Sequence, residues 1–251
     1  MYIDTHCHLS KEDYDDIFEV IKENRKNHVD RIIVSGYSKD SINEVLQLSL
    51  EYEDVYLTLG YHPSEADMVT KADLDLLEQL IKENSKVLGI GEIGLDYHYG
   101  KENKEHQIEL FKYQLSMAEK HDLPVVIHTR DATQDTIDIL KKYHVRGVIH
   151  CFSGSLEVAE QYISMGFLLG IGGVLTFKNS NLCKVIEKIP LDKIVLETDS
   201  PYLTPHPYRG KINSSKYISI IAEKIATIKE ISLKEVAKIT TINAIKVFDL
   251  K

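Results

Sequence analysis

Eight short apolar runs, each followed by a stretch of helical character, set the strongest limit on how this chain can fold. They lie at residues 2–8 (YIDTHCH), 31–36, 55–62, 87–96, 124–130, 146–153, 167–173 and 193–199. Most are continuously apolar rather than alternating, as strands buried on both faces are. Helical stretches start near Ser38, run from about Asp73 to Asn84, and resume after Ser232. Between Asn103 and His121, Ile108, Phe111, Leu115 and Ala118 recur at helical spacing and share one face, with Leu110 and Gln114 alongside. Repeated strand–helix units imply a parallel sheet. Eight of them is the number that closes a TIM-type (β/α)8 barrel. The expectation is therefore an α/β barrel, with or without distortion, carrying extra C-terminal helices and spanning residues 1–251 as one domain. An open doubly wound sheet is the alternative. No glycine-rich dinucleotide fingerprint follows the first strand, and GIGEIG (89–94) and GIGG (170–173) lack its spacing.

Polar side chains interrupt these runs at one recurring place, the C-terminal end. His6 and His8 close the first run, His62 the third, His128 the fifth, His150 the sixth and Asp199 the eighth, while Glu92 lies late in the fourth. Barrel enzymes build their sites at that rim. Strand residues two apart point the same way, so the HxH pair aims both imidazoles at one cation. A single histidine at a strand end is more often hydrogen-bonded structure than a ligand. Four histidines and two carboxylates converging on one rim are costly to bury unless they are paired or bind metal. His6, His8, Glu92, His128, His150 and Asp199 are accordingly the candidate metal ligands. Glu197 either orients one of the histidines or is a paired buried acid. His28, His98, His106, His121 and His144 read as solvated surface, and Cys7 and Cys151 as packing residues.

Composition narrows the setting. The net charge of −9 and the absence of a chain-long basic stripe argue against a footprint on long duplex DNA. Bound cations could still reverse the charge locally, so a phosphodiester substrate is not excluded. Three cysteines without C-x-x-C spacing, and the lack of a signal peptide or an apolar membrane span, point to a cytoplasmic protein with no membrane partner.

IDTHCHL (3–9), GEIGLDY (91–97), LPVVIHTRDA (123–132), HCFSGS (150–155) and ETDSPYL (197–203) together resemble the TatD-type metal-dependent deoxyribonucleases of the amidohydrolase superfamily. The resemblance extends from Asp4 to about Asn243. It implies a binuclear centre in which His6, His8, Glu92 and Asp199 hold one ion, Glu92, His128 and His150 hold the other, and Glu92 bridges. Related amidohydrolases often bridge with a carboxylated lysine, but the fourth and fifth strands offer Glu92 and His128 instead. Two segments depart from the family pattern, 98–106 and 212–215, and both bear on substrate preference.

The resulting expectation is a metal-dependent phosphodiesterase, a 3′ exonuclease on single-stranded or short DNA ends that uses hydroxide generated between two divalent ions. The ligand mix suits Zn, Mn or Mg, with zinc or manganese favoured by four imidazoles. Asp199 is the candidate for orienting the water and accepting its proton, with Glu92 beside it. His62, Arg130 and Arg209 are candidate phosphate contacts. The alternatives are a rim salt bridge for either arginine and a turn cap at Pro63 for His62. DNA ends or short oligonucleotides would be the partners, and no protein partner follows from the sequence. Rival readings are a hydrolase of the same superfamily acting on a lactone, amide or phosphotriester, and a non-catalytic binding barrel.

Overall fold

A computed structural model describes residues 1–250; Lys251, the last residue of the expected domain, lies outside them. Eight strands follow one another in chain order in one sheet. Each is followed by an α-helix, and one more helix closes the described chain. This is the TIM-type (β/α)8 barrel expected from the eightfold alternation. Of the extra C-terminal helices expected, the first is the barrel's own eighth helix and the second is additional.

The residues group into two compact units. The first, Met1–Val34 with His150–Lys251, contains β1 (Tyr2–Cys7), α1 (Ile17–Lys26), most of β2 (Val29–Gly36), α6 (Leu156–Ser164), β7 (Leu168–Ile171), α7 (Leu182–Lys188), β8 (Ile194–Leu196), α8 (Ile218–Lys229) and α9 (Leu233–Val247). Here β1 pairs with β2 and β7 with β8, both in parallel. Buried Asn243 on α9 donates to the Ile194 carbonyl at 2.7 Å and the Leu191 carbonyl at 3.0 Å, which fastens the additional helix to the start of β8.

The second unit, Ser35–Ile149, contains α2 (Lys39–Glu51), β3 (Val55–Leu59), α3 (Lys71–Glu83), β4 (Val87–Asp96), α4 (Lys104–His121), β5 (Val125–Arg130), α5 (Thr133–Leu140) and β6 (Gly147–Ile149). Two of its helices start at side-chain caps. Ser38 and Thr70 each cap a helix while the residue at the third helical position returns the bond, which satisfies two otherwise orphaned N–H groups. Along α4, Phe111, Leu115 and Ala118 are fully buried, as their spacing requires. Ile108 lies at the margin, and the buried face runs instead through Gln107, Leu110 and Gln114. The two glutamines are buried because one clamps the segment after β3 and the other the end of β4. Gln114 accepts from the Tyr61 N–H at 2.7 Å and donates to the Tyr61 carbonyl at 3.0 Å. Gln107 does the same to Asp96, at 2.9 Å each way.

Strands β4 and β5 pair side by side from Ile90 to Asp96. Gly94 permits this next to His128: its φ is +146°, and a Cβ there would sit 1.9 Å from the His128 carbonyl oxygen. A side chain at Gly94 would thus displace the backbone that carries a candidate ligand.

Candidate metal centre

In the first unit the HxH pair sits at the end of β1 as expected, but its partners do not end strands. β6 stops at Ile149 and β8 at Leu196, so His150 lies one residue and Asp199 three residues beyond. The chain turns there: Cys151 has φ +47° and Asp199 +52°, a left-handed conformation that aspartate tolerates better than most residues. Alternation therefore does not carry from Glu197 to Asp199, and local hydrogen bonds place Asp199 instead. Its N–H donates to the His6 carbonyl at 3.0 Å, and the His8 N–H donates to the Ser200 carbonyl at 2.7 Å.

Asp4, not singled out from the sequence, completes this zipper. It is fully buried and accepts from the Thr198 N–H at 3.0 Å, the Thr198 hydroxyl at 2.5 Å and the His6 N–H at 3.3 Å. Burial raises its pKa to about 7, against the opposing pull of those donors. The signal was present: Asp4, His6 and His8 occupy one alternation of a strand, and an acid inside an apolar run needs partners.

The result is a donor set. Ligand atoms of His6, His150 and Asp199 lie within 4.8 Å of one another. The Nε2 atoms of His6 and His8 stand 3.7 and 3.6 Å from Asp199 Oδ1, beyond a good hydrogen bond. Two donors each about 2.1 Å from one ion at tetrahedral angles would be about 3.4 Å apart. The spacing thus fits a cation between these groups better than direct contact. The rings of His6 and His150 are 3.8 Å apart. Glu197 lies 3.2 Å from His150 Nδ1 and accepts from the Cys151 N–H. It is wholly buried, and burial raises its pKa while the neighbouring His150 opposes the rise. Of its two readings, the histidine-orienting one has this geometry: a carboxylate at Nδ1 directs Nε2 outward as the ligand atom. Gly170 makes the room, since a Cβ there would lie 2.0 Å from Glu197 Oε2.

In the second unit Glu92 and His128 meet at 2.7 Å, through Oε1 and Nδ1. The other ring nitrogen, Nε2, is 3.1 Å from Asp96 Oδ2. Asp96 was also missed, although Glu92, Gly94 and Asp96 share one alternation on β4. Burial works to raise its pKa, but donation from His128 and the His98 N–H leaves it below the usual range. His62 is not at the end of its strand, because β3 stops at Leu59. It begins a 3-10 turn at Pro63, and its Nδ1 accepts from the Ser64 N–H at 3.1 Å. The cap reading and the substrate reading are therefore compatible. An accepting Nδ1 carries no proton, so the neutral ring holds it on Nε2, 3.9 Å from Glu92 Oε1. His62, Asp96 and His128 are close enough to hold a cation. That tautomer makes His62 a hydrogen-bond donor there rather than a ligand.

Arg130 and Arg209, the other expected substrate contacts, stand in neither group. Each guanidinium stacks on an aromatic ring, Arg130 on Tyr99 at 5.5 Å and Arg209 on Phe177 at 4.1 Å. The second unit also contains a cavity of about 360 Å³ whose lining includes His62, Asp67, Asp96, Tyr99 and Glu102. Of the histidines read as surface, His98, His106 and His121 pair with Asp131, Asp67 and Glu78 at 3.0, 2.6 and 2.6 Å. Cys7 is buried, as expected of a packing residue.

Imidazoles and carboxylates within or just beyond barrel strands form donor sets for a cation, as a metal-dependent hydrolase requires, and the comparisons place the chain in that class. The family described as TatD related DNase matches residues 3–249, and the chain belongs to it. A metal-dependent hydrolase of Bacillus subtilis, YabD, is 44% identical over 99% of both chains. One from Escherichia coli K12, YcfH, is 33% identical over 99% of this chain and 96% of its own length. The crystal structure of YJJV, a TatD homologue from Escherichia coli K12, has a TM-score of 0.93 at 29% identity, covering 100% of this chain and 98% of that one. A mutant phosphotriesterase-like lactonase from Deinococcus radiodurans, at 13% identity over 98% of this chain and 95% of that one, has a TM-score of 0.65 and shares the fold alone. Among the described residues no helix is long and apolar enough to cross a membrane.

Proposed function

We propose that this chain is a deoxyribonuclease, a metal-dependent phosphodiesterase that removes nucleotides from the 3′ ends of single-stranded or short DNA. The observation that carries the reading is the pair His6 and His8 facing Asp199 at 3.7 and 3.6 Å, spaced for a cation, in a chain matched from residue 3 to 249 by a family of DNases. Two divalent ions complete the proposal. His6, His8, Glu92 and Asp199 would hold one; Glu92, His128 and His150 would hold the other, with Glu92 common to both. Imidazoles with carboxylates suit zinc or manganese, and magnesium is the third candidate.

When bound, the ions would polarise the phosphoryl group and bring the pKa of water towards neutrality. The chain does the rest. Asp199 orients the attacking water and takes its proton. Glu197 keeps His150 in register, and Asp4 keeps the Thr198–Asp199 turn against β1. The Nε2 proton of His62 donates to a phosphoryl oxygen. Arg209 and Arg130, pre-oriented by their rings, offer planar forks to neighbouring phosphates. A cytoplasmic setting is part of the same reading.

The test pairs Glu92→Ala with chelation. Wild-type protein should release mononucleotides from a 5′-labelled single-stranded oligonucleotide, lose that activity in chelator and regain it with zinc, manganese or magnesium. Glu92→Ala should keep the circular dichroism of the folded barrel while losing bound metal, by elemental analysis, and activity. Turnover of simple lactones or esters, with every oligonucleotide left intact, would sink the nuclease reading in favour of the small-molecule alternative.

A further inference from the structure

The acids of this chain are unevenly spread. It has 39 Asp and Glu in 251 residues, yet none between Gln161 and Ile186 and none between Ser200 and Ala222. Those two stretches carry Lys178, Lys184, Arg209, Lys211 and Lys216. Both belong to the first unit, and they touch. Arg209 stacks on Phe177 at 4.1 Å, and the His206 N–H donates to the Thr176 hydroxyl at 2.8 Å. The connections after β7 and β8 thus bring cations together without acids of their own, within a chain of opposite net charge, and an acid acting on them from elsewhere is Glu23 of α1, beside Lys216.

Aromatic side chains stand along the same surface. Tyr202 is 55% exposed, and its ring lies 6.2 Å from that of His8, one of the proposed ligands. Further along the connection, Tyr208 is partly exposed and stacks on Tyr217 at 4.7 Å, with the Lys211 ammonium 5.4 Å from the centre of its ring. The backbone beneath is fixed. Asn213, fully buried, donates from its side chain to the Thr198 carbonyl at 2.8 Å and the Tyr202 carbonyl at 2.6 Å. The Tyr14 hydroxyl donates to the Asn213 carbonyl at 2.8 Å, and the Thr204 hydroxyl to that of Lys211 at 2.5 Å. Exposed rings and cations held on a rigid loop lose little entropy when a ligand settles on them.

We infer that the β8–α8 connection, with Phe177 and Lys178 beside it, is a binding track for one polynucleotide strand, along which bases stack on Tyr202 and Tyr208 while Arg209 and Lys211 meet the phosphates. Stacking rings interleaved with cations are what sequence-tolerant single-strand binding requires. A duplex hides the base faces that the tyrosines would contact. The inference deepens the proposed function, since it supplies the strand that the metal-binding residues would cut. It also explains how a chain of net charge −9 can hold a polyanion without a chain-long basic stripe.

The test is fluorescence anisotropy of a 5′-labelled, phosphorothioate-linked dodecathymidylate with the full chain. Tyr202→Ala should weaken binding roughly tenfold and Tyr202→Phe should restore it, because the face and not the hydroxyl stacks. Lys211→Ala should weaken binding and reduce the slope of log K against log salt by about 0.7. Wild-type binding that is absent, that is indifferent to Tyr202→Ala, or that is displaced equally well by poly-glutamate would overturn the track. The last result would mark a surface for acidic peptides instead. A wild-type protein that binds the strand with these dependences but cleaves no phosphodiester would overturn the proposed function and leave the track standing.

Discussion

The loops that follow β7 and β8 in the first unit and the wall of the cavity in the second treat charge in opposite ways. The former carry no acid across two long stretches and hold their cations over aromatic rings. The latter gathers Asp67, Asp96 and Glu102, and each of the two aspartates is held by donors. Asp67 accepts from His106 and Asn103, which lowers its pKa and raises that of His106. Asp96 accepts from the His98 N–H and faces His128. The difference teaches that net charge says little about which ligand a face accepts. The first surface offers the cations that the inferred strand track requires. The second offers carboxylate acceptors, with His62 standing among them.

The comparison can be broken most severely at Asp199. Asp199→Asn removes both the proposed ligand charge and the proposed proton acceptor of the first unit. It should cut kcat on a labelled oligonucleotide by on the order of 10³-fold. A loss under tenfold would move the proton-accepting role to the acids of the second unit. Glu197→Gln comes next. Losing the carboxylate beside His150 should lower metal affinity by about 10- to 100-fold, read by competition with a chromogenic chelator. Unchanged affinity would make Glu197 a packing acid only. Smaller again are opposed changes at the two surfaces. At low salt Lys211→Ala should raise KM for the oligonucleotide by roughly two- to fivefold, and Glu102→Gln should lower it by a similar or smaller factor, as exposed charges do. Equal shifts in one direction would erase the distinction between the faces.

Much of this was legible in the residues. The eightfold alternation specified the barrel because buried parallel strands and their crossover helices each leave their own period. The HxH pair was legible because both histidines lie inside or directly after a regular strand, where alternation holds. His150, like His8, falls directly after its strand, whereas His62 and Asp199 were recognisable as candidates but misplaced. Short strands β3 and β8 end before them, and left-handed turns at Cys151 and Asp199 depend on hydrogen bonds to distant segments. Gln107 and Gln114 read as ordinary helix residues. Their role as clamps appears only once α4 lies against Tyr61 and Asp96. The tautomer of His62 likewise rests on one backbone N–H. Charge segregation was present in the sequence but averaged away when acids were counted over the whole chain.

The smallest effect asks whether the acids of the second unit are stabilised by their partners or merely tolerated. Glu78 on α3 is the clearest case: Lys120, His121 and Lys82 approach it at 2.8, 2.6 and 3.0 Å. Hydrogen bonds from these three bring its pKa down to about 2, with burial opposing. A carboxylate whose folded pKa lies below its ordinary 4.5 contributes stability above that value, and the contribution is lost as pH falls from 4.5 towards 2. The group sits near the surface, so solvent screening limits its worth to about 1 kcal/mol. Glu78→Gln should therefore lower the urea midpoint of metal-stripped protein at pH 7 by that equivalent. The gap to wild type should narrow below pH 4.5 and close only below pH 2, where both side chains are neutral. A gap independent of pH would mean that the glutamate acts by packing α3 against α4, and that its cations serve solubility alone.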